Sequence, residues 1–98
     1  MEIEQLKTYR EDILAIAERY HAPNIRVFGS VVRGEATQSS DVDFLIDVAP
    51  EQTLFDLIRL TRSLSELLGC EVDVAQSTVL HPRMRDEVLQ NAISLELL

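Results

Sequence analysis

Residues 41–48 read Asp-Val-Asp-Phe-Leu-Ile-Asp-Val, which in a β-strand puts Val42, Phe44, Ile46 and Val48 on one face and Asp41, Asp43, Leu45 and Asp47 on the other. Such a strand needs apolar cover on one side only, so the chain has to supply amphipathic elements that pack on that side and leave the acids accessible. Residues 2–20 supply one, with Ile3, Leu6, Ile13, Ile16, Ala17 and Tyr20 near helical spacing and Pro23 as a stop. Residues 54–68 supply another: Leu54, Leu57, Ile58, Thr61, Leu64 and Leu68 recur every three or four positions. Thr53 and Asp56 provide its start signals and Gly69 its stop.

Two further strands are predicted at residues 25–28 and 71–75, the second with Val72 and Val74 on one face and Glu71 and Asp73 on the other. Pro82 suits a first helical position, and Met84, Val88, Leu89 and Ile93 mark a last helix. The expected fold is α/β (α+β), a small mixed sheet with helices packed mainly on one face. At 98 residues and 46% hydrophobic content, one domain spanning residues 1–98 is expected.

Nine basic against seventeen acidic residues give a formal charge of −8, which argues against nucleic acid as the primary ligand, because phosphate neutralisation supplies most of that affinity. A small nucleotide stays compatible, since a divalent ion reverses the local sign of a carboxylate cluster. Cys70 is the sole cysteine, so no internal disulfide forms. The chain shows neither a signal-peptide pattern at its start nor a run of roughly 20 apolar residues, and the expected location is the cytoplasm with no membrane span.

Asp41 and Asp43 point the same way and can converge on a hard cation such as Mg²⁺. Taken alone, such a pair is more often a solvated strand face. Gly29-Ser30 follows a strand directly: glycine lets backbone amides approach a phosphate and serine adds a hydroxyl, although the same dipeptide also makes ordinary turns. Arg33 either holds a phosphate or ties its loop to a carboxylate. Asp73 adds a third acid among apolar neighbours, or else a strand-end acid in solvent. Asp47, near the strand end, reads as a solvated acid, and His21 and His81 as surface residues near prolines. The apolar stretch at residues 93–98 reads as core, as an edge strand, or as a contact surface for a partner or a second copy.

Together, Gly29-Ser30, Arg33-Gly34, Ser40-Asp41-Val42-Asp43 and Val72-Asp73-Val74 resemble, in order and spacing, the nucleotidyltransferase superfamily that includes DNA polymerase beta. The resemblance is specifically to its smallest members, the MNT-type domains of bacterial and archaeal toxin–antitoxin pairs, and it covers nearly the whole chain. One departure is Val32, where relatives often carry alanine.

The resemblance implies a nucleotidyltransferase fold in which Asp41, Asp43 and Asp73 are catalytic and hold two Mg²⁺ ions. Gly29, Ser30, Arg33 and Ser40 would bind the nucleotide. It implies ATP as substrate, and AMP transfer to a protein hydroxyl, such as a tyrosine of a HEPN ribonuclease toxin, in the role of antitoxin. The competing reading is a non-catalytic module that neutralises its partner by covering it. An Asp-x-Asp glycosyltransferase or phosphatase fits less well, because the chain is short and the Gly-Ser turn suits nucleotide transfer.

Overall fold

The N-terminal periodicity, which predicts one helix, resolves into two: α1 (Ile3–Thr8) and α2 (Arg10–Arg19), separated at Tyr9. The Tyr9 amide donates to Leu6 O at 3.0 Å and the Thr8 hydroxyl to Gln5 O at 2.6 Å. These i−3 bonds tighten and end the first helix. Leu6, Ile13 and Ala17 still all reach the core. The computed structural model describes residues 1–35, 41–78 and 80–98.

The other elements follow as β1 (Arg26–Phe28), α3 (Ser30–Arg33), β2 (Val42–Ile46), α4 (Leu54–Leu68), β3 (Val72–Gln76), α5 (Pro82–Asn91) and β4 (Ile93–Ser94), with a closing 3₁₀ turn at Leu95–Leu97. The sheet runs β3-β2-β1-β4. β1 is antiparallel to both β2 and β4, whereas β2 and β3 are parallel. The sheet is therefore mixed, and α4 makes the crossover that parallel neighbours require.

The core lies where the alternation places it as far as Ile46: Val42, Phe44 and Ile46 are fully buried with Val27, and Leu6, Ile13, Ala17, Leu60, Leu64 and Leu68 pack in the same cluster. Val48, expected on the same face, lies beyond the end of β2 and is 50% exposed. Fully burying one such leucine contributes about 2 kcal/mol.

α4 begins as its sequence predicts, with reciprocal bonds of 3.1 Å from Asp56 N to Thr53 Oγ1 and 3.0 Å from Thr53 N to Asp56 Oδ2. Gly69 ends it in the left-handed conformation at φ 68°. Its core stripe differs from expectation. Leu57, Leu60, Leu64 and Leu68 face the cluster, while Leu54 is 70% and Ile58 54% exposed. These two belong with Thr61 to the adjacent arc of the helix, also spaced by three and four residues.

One expectation needs correction at the C-terminal end. Ile93 is in β4 rather than the last helix, because Ala92 turns extended at φ −67°, ψ 140°. Residues 93–98 also serve more than one purpose: Ile93–Ser94 forms an edge strand on β1, Leu95 is fully buried, and Leu97 is 82% exposed. Met84, Val88 and Leu89 do lie in the last helix, although no residue of α5 is buried. α5 carries the chain from one edge strand, β3, toward the other, β4, and four of its side chains line a cavity on the acidic face. None of the described helices is long and apolar enough to cross a membrane.

Candidate functional site

Parallel pairing sets Asp43 directly beside Asp73, so both carboxylates project from the same face of adjacent strands. Asp41, just before the start of β2, is close enough for its charge to act on Asp43. The consequence is electrostatic: the Asp43 carboxyl is pushed above its ordinary pKa, first by burial and then by the negative charges of Asp73 and Asp41, with Arg33 partly offsetting them. An acid held among acids favours either a proton or a cation.

Gly29 faces this group from the end of β1. Its φ of +80° lies in the region that favours glycine, and a Cβ there would fall 2.5 Å from Asp43 Oδ2. The residue is therefore required twice, for its backbone conformation and for the approach of its backbone to the carboxylate. Ser30 begins α3, where the helix start leaves amides with no partner inside the helix. Gly34, at φ +74°, ends that single turn. Arg33 donates through Nε to Glu35 Oε2 at 3.1 Å with 56% of its side chain exposed, so its loop-tying bond forms while its charge still acts on Asp43. Ser40 lies outside the described residues.

The face is not a uniform acid row. Leu45, between Asp43 and Asp47, is fully buried, flanked in register by Arg26 and Ala75. Beyond it, Asp47 is not the solvated acid that its position near the strand end predicts. It accepts hydrogen bonds from Asn24 Nδ2 at 2.9 Å, Arg26 Nη2 at 2.7 Å and Ser77 Oγ at 3.0 Å. The bond from Asn24 chiefly, aided by Ser77 and Arg26, holds its carboxyl below the usual range. His21 does sit at the surface, 3.3 Å from Asp56 Oδ2, and the exposed His81 caps α5 by accepting from Arg83 N at 3.2 Å.

A cavity of about 260 Å³ opens over the Asp43 end, lined by Phe28, Gly29, Arg33 and Asp43 on one side and by Met84, Glu87, Val88 and Asn91 of α5 on the other. Sequence reasoning misses this α5 wall. Its only signal is that apolar residues are sparse on a polar helix, which does not say what they face. Volume alone does not place chemistry. A larger cavity, about 450 Å³ near His21, Asn24 and Glu51, contains none of the three aspartates.

Among the described residues no three His, Cys, Asp or Glu side chains close into a ready-made metal cage. Asp41, Asp43 and Asp73 form a row open on the solvent side instead. A row suits Mg²⁺, which binds through one or two carboxylates and keeps other positions for water and phosphate oxygens.

The sequence matches the family described as "Nucleotidyltransferase domain" across residues 5–95. The chain belongs to that family. A solved structure provisionally called a minimal nucleotidyltransferase superposes on this nucleotidyltransferase with a TM-score of 0.85 and 44% identity, covering 95% of each chain. The protein adenylyltransferase MntA of Thermococcus cleftensis is 38% identical over 92 residues, 94% of this chain and 91% of its own. A protein of Methanocaldococcus jannaschii, provisionally named a protein adenylyltransferase, is 34% identical over 97% of this chain and 99% of its own. A toxin–antitoxin crystal structure with AMP-PNP shares the fold at a TM-score of 0.74 and 19% identity, covering 88% of this chain and 71% of that one.

Proposed function

We propose that this nucleotidyltransferase moves AMP from ATP to a hydroxyl of a partner protein, with Asp41, Asp43 and Asp73 as its catalytic residues. The observation that carries the reading is the register that sets Asp43 beside Asp73, with the backbone of Gly29 against the Asp43 carboxylate. Asp41 and Asp43 would hold two Mg²⁺ ions, with Asp73 helping to hold one of them. When bound, the ions screen the triphosphate charge and make the acceptor hydroxyl more acidic. Gly29 and Ser30 orient the β- and γ-phosphates, and Arg33 and Ser40 are the further nucleotide-binding residues, so the contribution of the chain is positioning and charge stabilisation.

In the transfer, the acceptor oxygen bonds to the α-phosphorus as the bond to pyrophosphate breaks. The hydroxyl proton passes to the Asp73 carboxylate, and pyrophosphate leaves. The relatives named as protein adenylyltransferases support a protein acceptor, and the AMP-PNP structure supports an adenine nucleotide. The fold shared with a solved MntA–HepT toxin–antitoxin pair supports reading the protein as an antitoxin; on this proposal the acceptor is a tyrosine of a HEPN-type toxin and the pair acts in the cytoplasm. The test is to incubate the purified protein with Mg²⁺, α-labelled ATP and the protein encoded beside it. Label on that partner is the expected result, and its absence together with no Mg²⁺-dependent nucleotide binding would count against the reading.

Exposed Leu54, Phe55 and Ile58 favour a partner-contact surface, and with it the second reading of neutralisation by occlusion. An Asp41→Ala/Asp43→Ala variant separates the two. Full suppression of the partner by that variant would show that covering is sufficient, whereas loss of suppression identifies transfer as the cause.

A further inference from the structure

β3 is an edge strand: it pairs with β2, and its outer side pairs with no described strand. Along that free side runs a groove of about 450 Å³ whose far wall is α4, with Leu57 from its core-facing arc and Ile58, Thr61 and Arg62 beside it. Its near wall is β3 itself, and Asp73 is among the residues that line it. The groove and the candidate site therefore share a residue.

Strand geometry then fixes what an occupant would do. A segment added beside β3 would satisfy the open backbone groups of that edge, and five residues, roughly 16 Å, would span it. The residue opposite Asp73 would project from the same face as Asp73, with its Cβ about 5 Å from that of the aspartate. The residues on either side would project the other way, toward Val72, Val74 and the half-exposed Ile58. The chain carries a charge of −8, and in the groove Glu71 and Asp73 outweigh Arg62, so basic flanks are favoured and a second copy of this chain is repelled.

We propose that this groove docks the acceptor: an extended segment of a basic protein, with an apolar-hydroxyl-apolar pattern, adds to β3 and delivers its hydroxyl beside Asp73. This rests on the transferase reading above and names the form of its substrate. The chemistry is the same step, with the acceptor oxygen bonding to the α-phosphorus, pyrophosphate leaving and the proton passing to Asp73.

The test uses the peptide Lys-Lys-Val-Tyr-Val-Lys-Lys, the same peptide N-methylated at both valines, and a version with aspartates in place of the lysines. Each is assayed for AMP transfer by the wild type, Ile58→Ser and Leu97→Ser, while binding of a fluorescent ATP analogue is followed in the same samples. The expected result is that Ile58→Ser raises the KM for the parent peptide at least ten-fold, with nucleotide affinity unchanged and Leu97→Ser like wild type. N-methylation and the aspartate flanks should each lower kcat/KM at least ten-fold. Equal use of the parent and N-methylated peptides, or an unchanged peptide KM in Ile58→Ser, overturns the groove and leaves the transferase reading standing. If wild type labels itself or no peptide at all, the groove proposal also fails; nucleotide binding then reports whether the transferase reading fails with it.

Discussion

The two ends of the acidic sheet face carry the same residue type in opposite circumstances. At one end Asp47 is surrounded by donors, Asn24, Arg26 and Ser77, and its carboxyl is held below the ordinary range. At the other end Asp43 is surrounded by burial and two further acids, and its carboxyl is held above it. Fully buried Leu45 separates the two environments. The same strand thus contains an aspartate that stabilises the fold and an aspartate whose charge the fold tolerates at a cost. Strained electrostatics of the second kind are typical of functional sites.

The sharpest way to break this contrast is to neutralise each end in turn. Asp43→Asn is expected to lower AMP transfer by three orders of magnitude or more, because the ions lose a ligand, while the melting temperature of the metal-free protein stays equal or rises. Asp47→Asn should leave transfer within a few-fold of wild type and lower the melting temperature. Steady-state assays beside thermal melts in EDTA read both, and similar activity losses from the two variants would dissolve the distinction.

Next in size is Gly29→Ala. The added Cβ meets Asp43 Oδ2 and forces an unfavourable φ, so transfer should drop about 100-fold and stability by about 1–3 kcal/mol. Urea denaturation checks the second figure. A fully active Gly29→Ala would show that the closeness of the turn to Asp43 has no consequence for the chemistry.

Asp47→Ala removes three hydrogen bonds, one of them the ion pair with Arg26, whose side chain is 15% exposed, and it should cost about 1–2 kcal/mol after allowance for the partly exposed carboxylate. Arg26 Nε is already buried without a described partner, so the loss of Asp47 leaves the guanidinium poorly satisfied.

The smallest expected effect is in pH dependence. Asp47, with its folded pKa lowered, contributes stability that is present above its unfolded pKa and is lost as pH falls through the folded value. Asp43, with its folded pKa raised, does the reverse: its ionised form opposes folding, and protonation as pH falls through the raised value relieves that cost. In metal-free acid titrations, Asp47→Asn should therefore flatten the loss of stability and Asp43→Asn should steepen it. Identical titrations of the two variants would contradict the assignment.

The contrast also marks what was legible in the sequence. The period-two alternation of residues 41–48 and 71–75 gave the facing of Asp43 and Asp73, because strand periodicity is a local property and parallel pairing preserves it. The caps at Thr53 and Gly69 were equally local and are present. The role of Asp47 was not legible, since its donors come from two separate segments, residues 24–26 and Ser77, that only the folded chain assembles beside it. The path of α5 over the acidic face was hidden for the same reason. Its sparse apolar residues fit a core stripe as well as a cavity wall, and only the need to return from β3 to β4 distinguishes them. On α4, spacing showed that the helix was amphipathic but not which of two adjacent arcs meets the sheet, so Leu60 was missed and Ile58 misplaced.

Mn²⁺ binding followed by electron paramagnetic resonance in the presence of a non-hydrolysable ATP analogue tests the central claim most directly. Wild type and Asp47→Asn should bind the ion–nucleotide pair alike, while Asp43→Asn and Asp73→Asn should each weaken it at least ten-fold. Unchanged binding in both of the latter variants would contradict the assignment of these aspartates as the cation site.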